Sequence, residues 1–306
     1  MILCSVIVCT WNPLPENLNR VLNALRTQNL PHNQWELLVV DSASSPPLAP
    51  RFDLSWHPQA RCVREGDPGL FKARILGTRE SSAPLIVFVD DDNLLHYDYL
   101  ERALAISSAH PQVTVWSGQS HPEFQTPPPE WTRSSWPLLA LAEFDADQIS
   151  DQWYLSLPLP FGAGMCVRRS TMTAYMENAA RSPARARLGR GPGSLMSADD
   201  NDIALSALEF GQSIGRFTSL HLTHLIPPSR LTKDYLLRLI TAMAASRELL
   251  TFLHPQFPYS QPTRLPHFLR VWRHFLRPLS WQRSQKLATL KGEKQGQTLI
   301  STLPQP

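Results

Sequence analysis

The sequence predicts an α/β protein with a mostly parallel central sheet, extended at its C-terminal end by helices. Three observations carry this reading. Short β-rich runs alternate with helical patterns over the first part of the chain, which is the rhythm of parallel βαβ units. The run LIVFVD at 85–90 is apolar throughout up to its closing Asp90, as a strand covered on both faces must be. From residue 226 onward helical periodicity takes over, with Leu236, Leu237, Leu239, Ile240, Met243, Leu249 and Leu250 forming a broad apolar face.

The first strand is CSVIVCT. The apolar N-terminal run that contains it has neither a basic n-region nor a small-residue cleavage site, and Trp11-Asn12-Pro13 ends it, so it reads as a strand rather than a signal. A helix over 16–28 presents Leu18, Val21, Leu22 and Leu25 on one side, and WELLVVD follows as the second strand. RCVRE is a third strand, 68–81 a helix with Pro near its start, and LIVFVD the fourth strand. A helix over 97–109 and a strand over 113–117 continue the pattern. Between Pro122 and Pro137 five prolines and two tryptophans exclude regular helix or central strand, and a long functional loop is expected there. GAGMCVRR, a helix over 171–180 and a Pro/Gly/Arg-rich link over 182–193 come next. A helix opening at 199–202 and two strand-like segments, GRFTSL and LTHLIP, complete the α/β part.

The 306 residues, 42% hydrophobic and 18% charged, suffice for one good-sized core and an appendage. The net charge of +3 gives no global pull toward nucleic acid, and no nucleic-acid partner is expected. Basicity is local: 264–291 holds seven Lys or Arg and no acid. Within it Phe268, Leu269, Trp272, Phe275, Leu276 and Trp281 are interleaved with Arg270, Arg273, Arg277 and Arg283, with Pro278 dividing two short helices. Such a segment suits the headgroup region of an anionic membrane and equally suits a helix packed on the domain with its arginines in water. No run approaches the ~20 apolar residues a spanning helix needs. Cys4, Cys9, Cys62 and Cys166 lack metal-site spacing and read as buried free thiols of a reducing compartment. The expected division is an α/β domain over 1–225, a helical extension over 226–291 and a polar, frayed tail over 292–306.

Ligands of a parallel α/β sheet bind beyond the carboxyl ends of its strands. Those ends carry Thr10 and Asn12, then Asp41, then Asp90-Asp91-Asp92-Asn93. Asp41 could equally cap a turn. Three adjacent carboxylates repel one another, and a divalent cation relieves the repulsion, with Mg2+ or Mn2+ bridging a substrate diphosphate the natural match for hard oxygen ligands. A helix cap at Asp92 or Asn93 is the competing account. Asp199-Asp200-Asn201-Asp202 is a second acidic group, at a helix start where the macrodipole alone would also favour it. His224 is a third candidate metal ligand or phosphate contact, against a purely structural role.

In their order along the chain these segments resemble glycosyltransferase family 2, the inverting, DxD-containing GT-A fold group, in its bacterial type. CSVIVCTWNP is similar to that family's opening strand and Thr-aromatic-Asn turn, LLVVDSAS to its second strand with a nucleobase-contacting aspartate, and GLFKARILG to a Gly-x-x-x-Ala-Arg-Asn-x-Gly segment with Ile75 in place of Asn. LIVFVDDDN resembles the DxD strand, FGAGMCVRR the glycine-bearing segment beneath the donor sugar, and SADDNDIAL the Glu-Asp-x-Asp-Leu motif with Asp199 in place of Glu. Tyr97 stands where a proline often follows the DxD turn, and THLIPPSRL resembles a His-bearing segment of some bacterial members.

The resemblance covers about residues 1–225. It implies a metal-dependent inverting transferase, a hexosyltransferase by expectation, that moves a sugar from a nucleotide-diphospho-sugar to a glycan or lipid-linked acceptor in polysaccharide or glycoconjugate synthesis. The enzyme would work in the cytoplasm or at the inner face of the plasma membrane. Asp200 would be the catalytic base. Thr10, Asn12, Asp41, Arg74, Asp90 and Asp91 would bind the donor nucleotide, and Gly162, Gly164 and Asp199 the donor sugar or acceptor. Asp92, Asp90 and His224 would hold Mg2+ or Mn2+. The alternatives are a nucleotidyltransferase, disfavoured because TWNPLPEN has no glycine for a phosphate loop, and a catalytically degenerate sugar-binding protein, disfavoured because both acidic groups are intact.

Overall fold

The computed structural model describes residues 1–49, 51–154, 157–257, 267, 270, 271 and 280–303. Its centre is one sheet of strands β1 (Cys4–Thr10), β2 (Trp35–Ser42), β3 (Ala60–Glu65), β4 (Leu85–Asp90), β5 (Asn93–Leu95), β6 (Val113–Phe124), β7 (Gln148–Ser150), β8 (Cys166–Arg168) and β9 (Ser213–Ile226). The order across the sheet is β3-β2-β1-β4-β8-β6-β9-β5, with β7 also paired to β9. The long ladders are parallel, β1 with β2 and β4, β2 with β3, β6 with β9. The short ones, made by β5, β7 and β8, are antiparallel.

Every residue of β1 is buried because both faces of the sheet are covered. Val6 and Val8 face one core layer with Leu18, Val21, Leu22 and Leu25 of helix α1 (Pro15–Arg26), to which α3 (Tyr99–Ala109) adds Leu100 and Ala103. Ile7 and Cys9 face the other layer, with Ala73 of α2 (Leu70–Glu80), Met172 and Tyr175 of α4 (Arg169–Arg181), and Ile203 to Leu205 of α5 (Asp199–Glu209). The strict alternation of β1 side chains thus assigns one helix layer to each face. A Cβ at Gly77 would meet Ile7, so α2 lies tight on β1 and β2 and its earlier turn reaches the strand ends.

Three regions differ from the expectation. β6 does not end at Ser117 but runs to Phe124 through Pro122, and GRFTSL and LTHLIP are one strand, β9, paired with it. Pro122 is tolerated because β8 pairs only with Val115 and Trp116, and Ser120 directs its backbone away from β9 to Ala142. Two residues on, the proline's missing N–H points the same way, toward an unpaired side. The rest of the proline-rich stretch holds a 3-10 helix, Glu130–Leu139, stopped by Ala140 at φ 54. The expected tail from 292 is instead helical to Ser301, inside α7 (Trp281–Ser301), which packs along α6 (Lys233–Leu253). A Cβ at Gly292 would run into the Thr241 carbonyl, and one at Gly296 would lie 2.8 Å from the carbonyl of Ala245, so these glycines let two helix backbones approach closely. Leu299, Ile300 and Leu303 then reach the second core layer.

Of the aromatic and basic segment at 264–291, Arg264, Phe268, Leu269, Trp272, Arg273, Phe275, Leu276, Arg277 and Pro278 lie outside the described residues. Arg270 pairs with Glu293 at 2.7 Å, and Trp281 packs edge-on against Trp131 at 4.9 Å. No helix among the described residues is long and apolar enough to cross a membrane. All four cysteines are free, and burial pushes the Cys4 thiol up to about 12 and that of Cys62 up to about 11.

Candidate active site

A cavity of about 320 Å³ opens where β1, β2 and β4 end, bounded opposite by the first turn of α5, the 189–197 link and the start of α6. The register explains the first part. Parallel pairing sets Cys9 beside Asp90 and Thr10 beside Asp41, so the chain emerges from three strands at one level. Thr10, Arg74, Asp90, Asp91, Asp92, Gly162, Asp199, Asp200 and His224 all line the cavity.

Arg74 joins its two acidic groups. From the buried turn of α2 its guanidinium donates to Asp199 Oδ2 at 2.8 Å and lies 3.8 Å from Asp90 Oδ1, flanked by the ring of Phe88. Burial pushes the Asp199 carboxyl up to about 6, with Arg74 opposing and Asp200 and Asp90 adding to the rise. Asp200 stands beside it with its own contacts: Oδ2 accepts from the Gly162 amide at 2.8 Å and Oδ1 from that of Asn201 at 2.8 Å. A Cβ at 162 would sit 2.5 Å from Arg74 Nη2 and 3.2 Å from Asp200 Oδ2, so a side chain there would press on both.

The three aspartates after β4 are held unequally. Asp91 accepts from the Thr10 hydroxyl, and burial with the neighbouring Asp92 charge pushes its carboxyl up to about 7. Burial and Asp92 also raise Asp90, against Arg74. At Asp92 burial again works against ionisation, but the Arg230 guanidinium leads the opposing charges and the carboxyl lies well below the usual range. Arg230 Nη2 donates to Asp92 Oδ2 at 2.6 Å, and His224 Nε2 lies 3.5 Å from the same oxygen. His224 arrives there by pairing: β9 sets it opposite Asn93 of β5, and the Leu225 amide donates to the Asp92 carbonyl at 2.9 Å.

These donors suit a hard divalent cation. Burial, with the Asp92 charge adding, raises the carboxyls of Asp90 and Asp91, so a cation beside them would offset what burial costs their charged forms. Among the described residues no group of three or more His, Cys, Asp or Glu is gathered closely enough to cage a metal by itself. A divalent ion held here would draw its remaining ligands from water or a bound ligand.

Three of the sequence candidates lie off the cavity. Asn12, at φ 47, turns its side chain to the Ser45 amide at 2.8 Å and pins the turn after β1 to the loop after β2. Asp41 is saturated: it accepts from the Ser44 and Leu48 amides at 2.8 and 3.1 Å and from Arg64 at 2.6 Å. Those contacts shape the loop beside the cavity, which is the turn-capping role the sequence left open. Gly164, at φ 68, faces the core, where a Cβ would meet the Tyr99 hydroxyl at 2.5 Å and Leu222 at 2.9 Å. Trp11, Arg190, Arg230, Tyr235, Leu139 and Leu195 also line the cavity, although nothing in the sequence pattern marks them as site residues. Trp11 and Arg230 lie within quoted motifs, while Arg190 sits in the Gly/Pro link, whose composition says only that it is irregular.

The comparisons with known proteins agree with this geometry. The family Glycosyl transferase family 2 matches residues 5–172, just over half of the chain. Glycosyltransferase AglE of Haloferax volcanii is 31% identical over 107 residues, which are 34% of this chain and 35% of that protein, so the match spans about a third of the relative's length. Among solved structures, S. aureus TarS superposes with a TM-score of 0.51 at 15% identity, covering 95% of this chain and 55% of that one. TarS 1-349 in complex with UDP-GlcNAc gives 0.52 at 13% identity over 97% of this chain and 92% of that one. At these identities the structures show a shared fold. The extent of the family match, with the strand-end aspartates and Asp200 facing one cavity, makes this chain a member of glycosyltransferase family 2.

Proposed function

We propose that the chain transfers a sugar, by expectation a hexose, from a nucleotide-diphospho-sugar to an acceptor hydroxyl, with inversion at the anomeric carbon. The observation that carries the reading is the single guanidinium of Arg74 reaching both Asp90 and Asp199, because it turns two acidic groups distant in sequence toward one cavity. A donor diphosphate belongs at the Asp90 to Asp92 end, and an acceptor hydroxyl at the Asp200 end. The UDP and UDP-GlcNAc complexes of a fold neighbour support a nucleotide-sugar donor.

Asp200 accepts the proton of the acceptor hydroxyl as that oxygen attacks the anomeric carbon, on the face opposite the departing diphosphate. The Gly162 amide, donating to Asp200 Oδ2, orients the carboxylate for this. Asp199 keeps Arg74 in place, and Arg74 holds positive charge between the two ends of the cavity. Asp92, Asp90 and His224 are the proposed holders of Mg2+ or Mn2+, and the ion, when bound, supplies positive charge to the leaving nucleoside diphosphate. Leu139, Leu195 and Tyr235 give the cavity an apolar wall on the side of the C-terminal helices, which suits a glycan or lipid-linked acceptor. Work on such an acceptor is the proposed reason for a place at the inner face of the plasma membrane.

The test is a panel of nucleotide sugars offered with Mg2+ or Mn2+ and a mixed glycan acceptor pool, read by mass spectrometry and by NMR of the new linkage. The expected result is metal-dependent release of nucleoside diphosphate and a product of inverted anomeric configuration. Release of pyrophosphate would point instead to nucleotidyl transfer, and donor binding without turnover on any acceptor or water would point to a degenerate sugar-binding protein.

A further inference from the structure

Arg230 occupies both atoms that a cation at Asp92 and His224 would use. It follows β9 on the short 3-10 turn Pro228–Leu231, and its side chain, 22% exposed, lines the cavity. Its Nη2 donates to Asp92 Oδ2 at 2.6 Å, and its Nη1 lies 3.0 Å from His224 Nε2. An arginine donates and never accepts, so His224 Nε2 must be the acceptor and the proton must sit on Nδ1. That is the nitrogen left buried without a partner. Arg230 therefore holds His224 in the tautomer whose Nε2 lone pair is available to a cation, and takes up that lone pair itself. The two arrangements exclude each other at His224 Nε2, which has one lone pair, and set two cations against one oxygen at Asp92 Oδ2.

The guanidinium also has somewhere to go. It is on the cavity wall, beside the carboxylates where the proposed function places the donor diphosphate, and a planar fork of donors pairs with phosphate as readily as with carboxylate. We propose that Arg230 competes with the divalent cation for Asp92 and His224 and, once displaced from them, becomes a contact to the donor diphosphate. The proposal rests on the reading of Asp90 to Asp92 as a cation and diphosphate site. It gives Arg230 two opposite effects: weakening the binding of the cation alone, and strengthening that of a diphosphate once the cation is present. Coupling of this kind would favour a cation that arrives with its nucleotide sugar over one that arrives alone.

The opposite signs make the test decisive. With full-length protein, Mn2+ alone is titrated and free Mn2+ read by electron paramagnetic resonance, and inorganic pyrophosphate is then titrated calorimetrically at saturating Mn2+. Arg230→Gln is expected to bind Mn2+ alone about tenfold more tightly and pyrophosphate about tenfold more weakly. Arg230→Lys, which keeps the charge but cannot span Asp92 and His224 with one fork, should lie between wild type and Gln on both scales and decides the matter if the Gln variant does not fold. Weaker binding of both probes would mean that Arg230 only supports the fold. Tighter Mn2+ binding with unchanged pyrophosphate would reduce it to a counter-charge, and either result overturns the proposal. Asp92→Asn is the separate control: if that variant binds Mn2+ as wild type does, the cation site itself is misplaced, whatever Arg230 does.

Discussion

Asp200 has contacts that separate its proposed chemical role from a structural one. Its two hydrogen bonds come from backbone amides, and an asparagine oxygen can accept at least one of them, so Asp200→Asn should leave the fold intact. Turnover is expected to fall by about 10²-fold or more, with nucleotide affinity little changed, as loss of a general base requires. Normal turnover in that variant would return the acid to the role of a helix-start residue. Asp92→Asn should behave differently. It removes a carboxylate held ionised chiefly by Arg230, so Mg2+ or Mn2+ dependence and donor binding should be lost together, read as nucleotide affinity with and without chelator. Gly162 belongs to the same scale, for its lack of a side chain lets the Arg74 guanidinium and the Asp200 carboxylate meet the backbone there.

Helix α5 carries Asp199 and Asp200 into the cavity, and what holds it is a buried polar cluster one turn further on. Asp202 accepts from the Tyr175 hydroxyl at 2.7 Å, from His254 Nε2 at 2.7 Å and from Arg185. His254, at the C-terminal end of α6, is wholly buried and gives its other nitrogen to Glu209 at 2.5 Å. Burial works against the charged imidazole, but Asp202 and Glu209 outweigh it and raise the value above 6.5. Burial likewise opposes ionisation of Asp202, yet His254 and Arg185 bring it below 3.8. The signs follow from linkage. The raised histidine contributes stability that is full below 6.5 and is lost as pH rises through its folded value. The depressed aspartate contributes stability that is full above 3.8 and is lost as pH falls through its folded value. Both are complete between 3.8 and 6.5. His254→Ala leaves two carboxylates facing a void and should cost about 3–5 kcal/mol at pH 6. Urea unfolding at pH 6 and pH 9 should show a smaller difference from wild type at the higher pH, and a constant difference would mean that the imidazole is neutral.

At the scale of the molecule the C-terminal helices are part of the domain's packing. α6 supplies Leu249 and Leu250 to the core layer of α2, α4 and α5, and Leu299 and Ile300 of α7, with Leu303 just beyond it, add to that layer. Trp281 joins Leu139, Leu236 and Leu239 in a third cluster beside the cavity. Deleting the chain from Arg264 would therefore strip α7 from α6 and uncover that side of the core, so stability should fall along with any membrane affinity. A gentler probe is Gly292→Ala. Alanine favours a helix by roughly 1 kcal/mol over glycine, but its methyl would be driven into the backbone carbonyl of Thr241 and toward Ala244, which cannot yield without parting the helices. The clash should win, with a midpoint lowered by several degrees in thermal unfolding and no gain in the isolated helix's favour; a higher midpoint would show that the two helices are loosely docked.

The parallel half of the sheet is legible in the chain's own pattern, because β1, β2 and β4 are local apolar runs whose ends carry their own polar residues. Thr10 and Asp90 to Asp92 needed nothing distant to be found. Asp200 and Arg74 were legible by resemblance to a family, through motifs whose meaning lies in their order. The tertiary structure decided which residues share the cavity. Asp41 shows why: one residue at a strand end can face a ligand or cap its own loop, and only the positions of the Leu48 amide and Arg64 settle that it is held by the loop. Pro122 shows it for strands, since a proline is excluded from a paired side but not from an open one, and sidedness depends on where β8 stops. The polar segment after 291 reads as a tail because it meets α6 through Gly292 and Gly296, which carry no hydrophobic signal and matter only once α6 lies against them. Arg230 reaches Asp92 across a sequence separation of 138, through the pairing of β9 with β5, and no local pattern encodes such a contact.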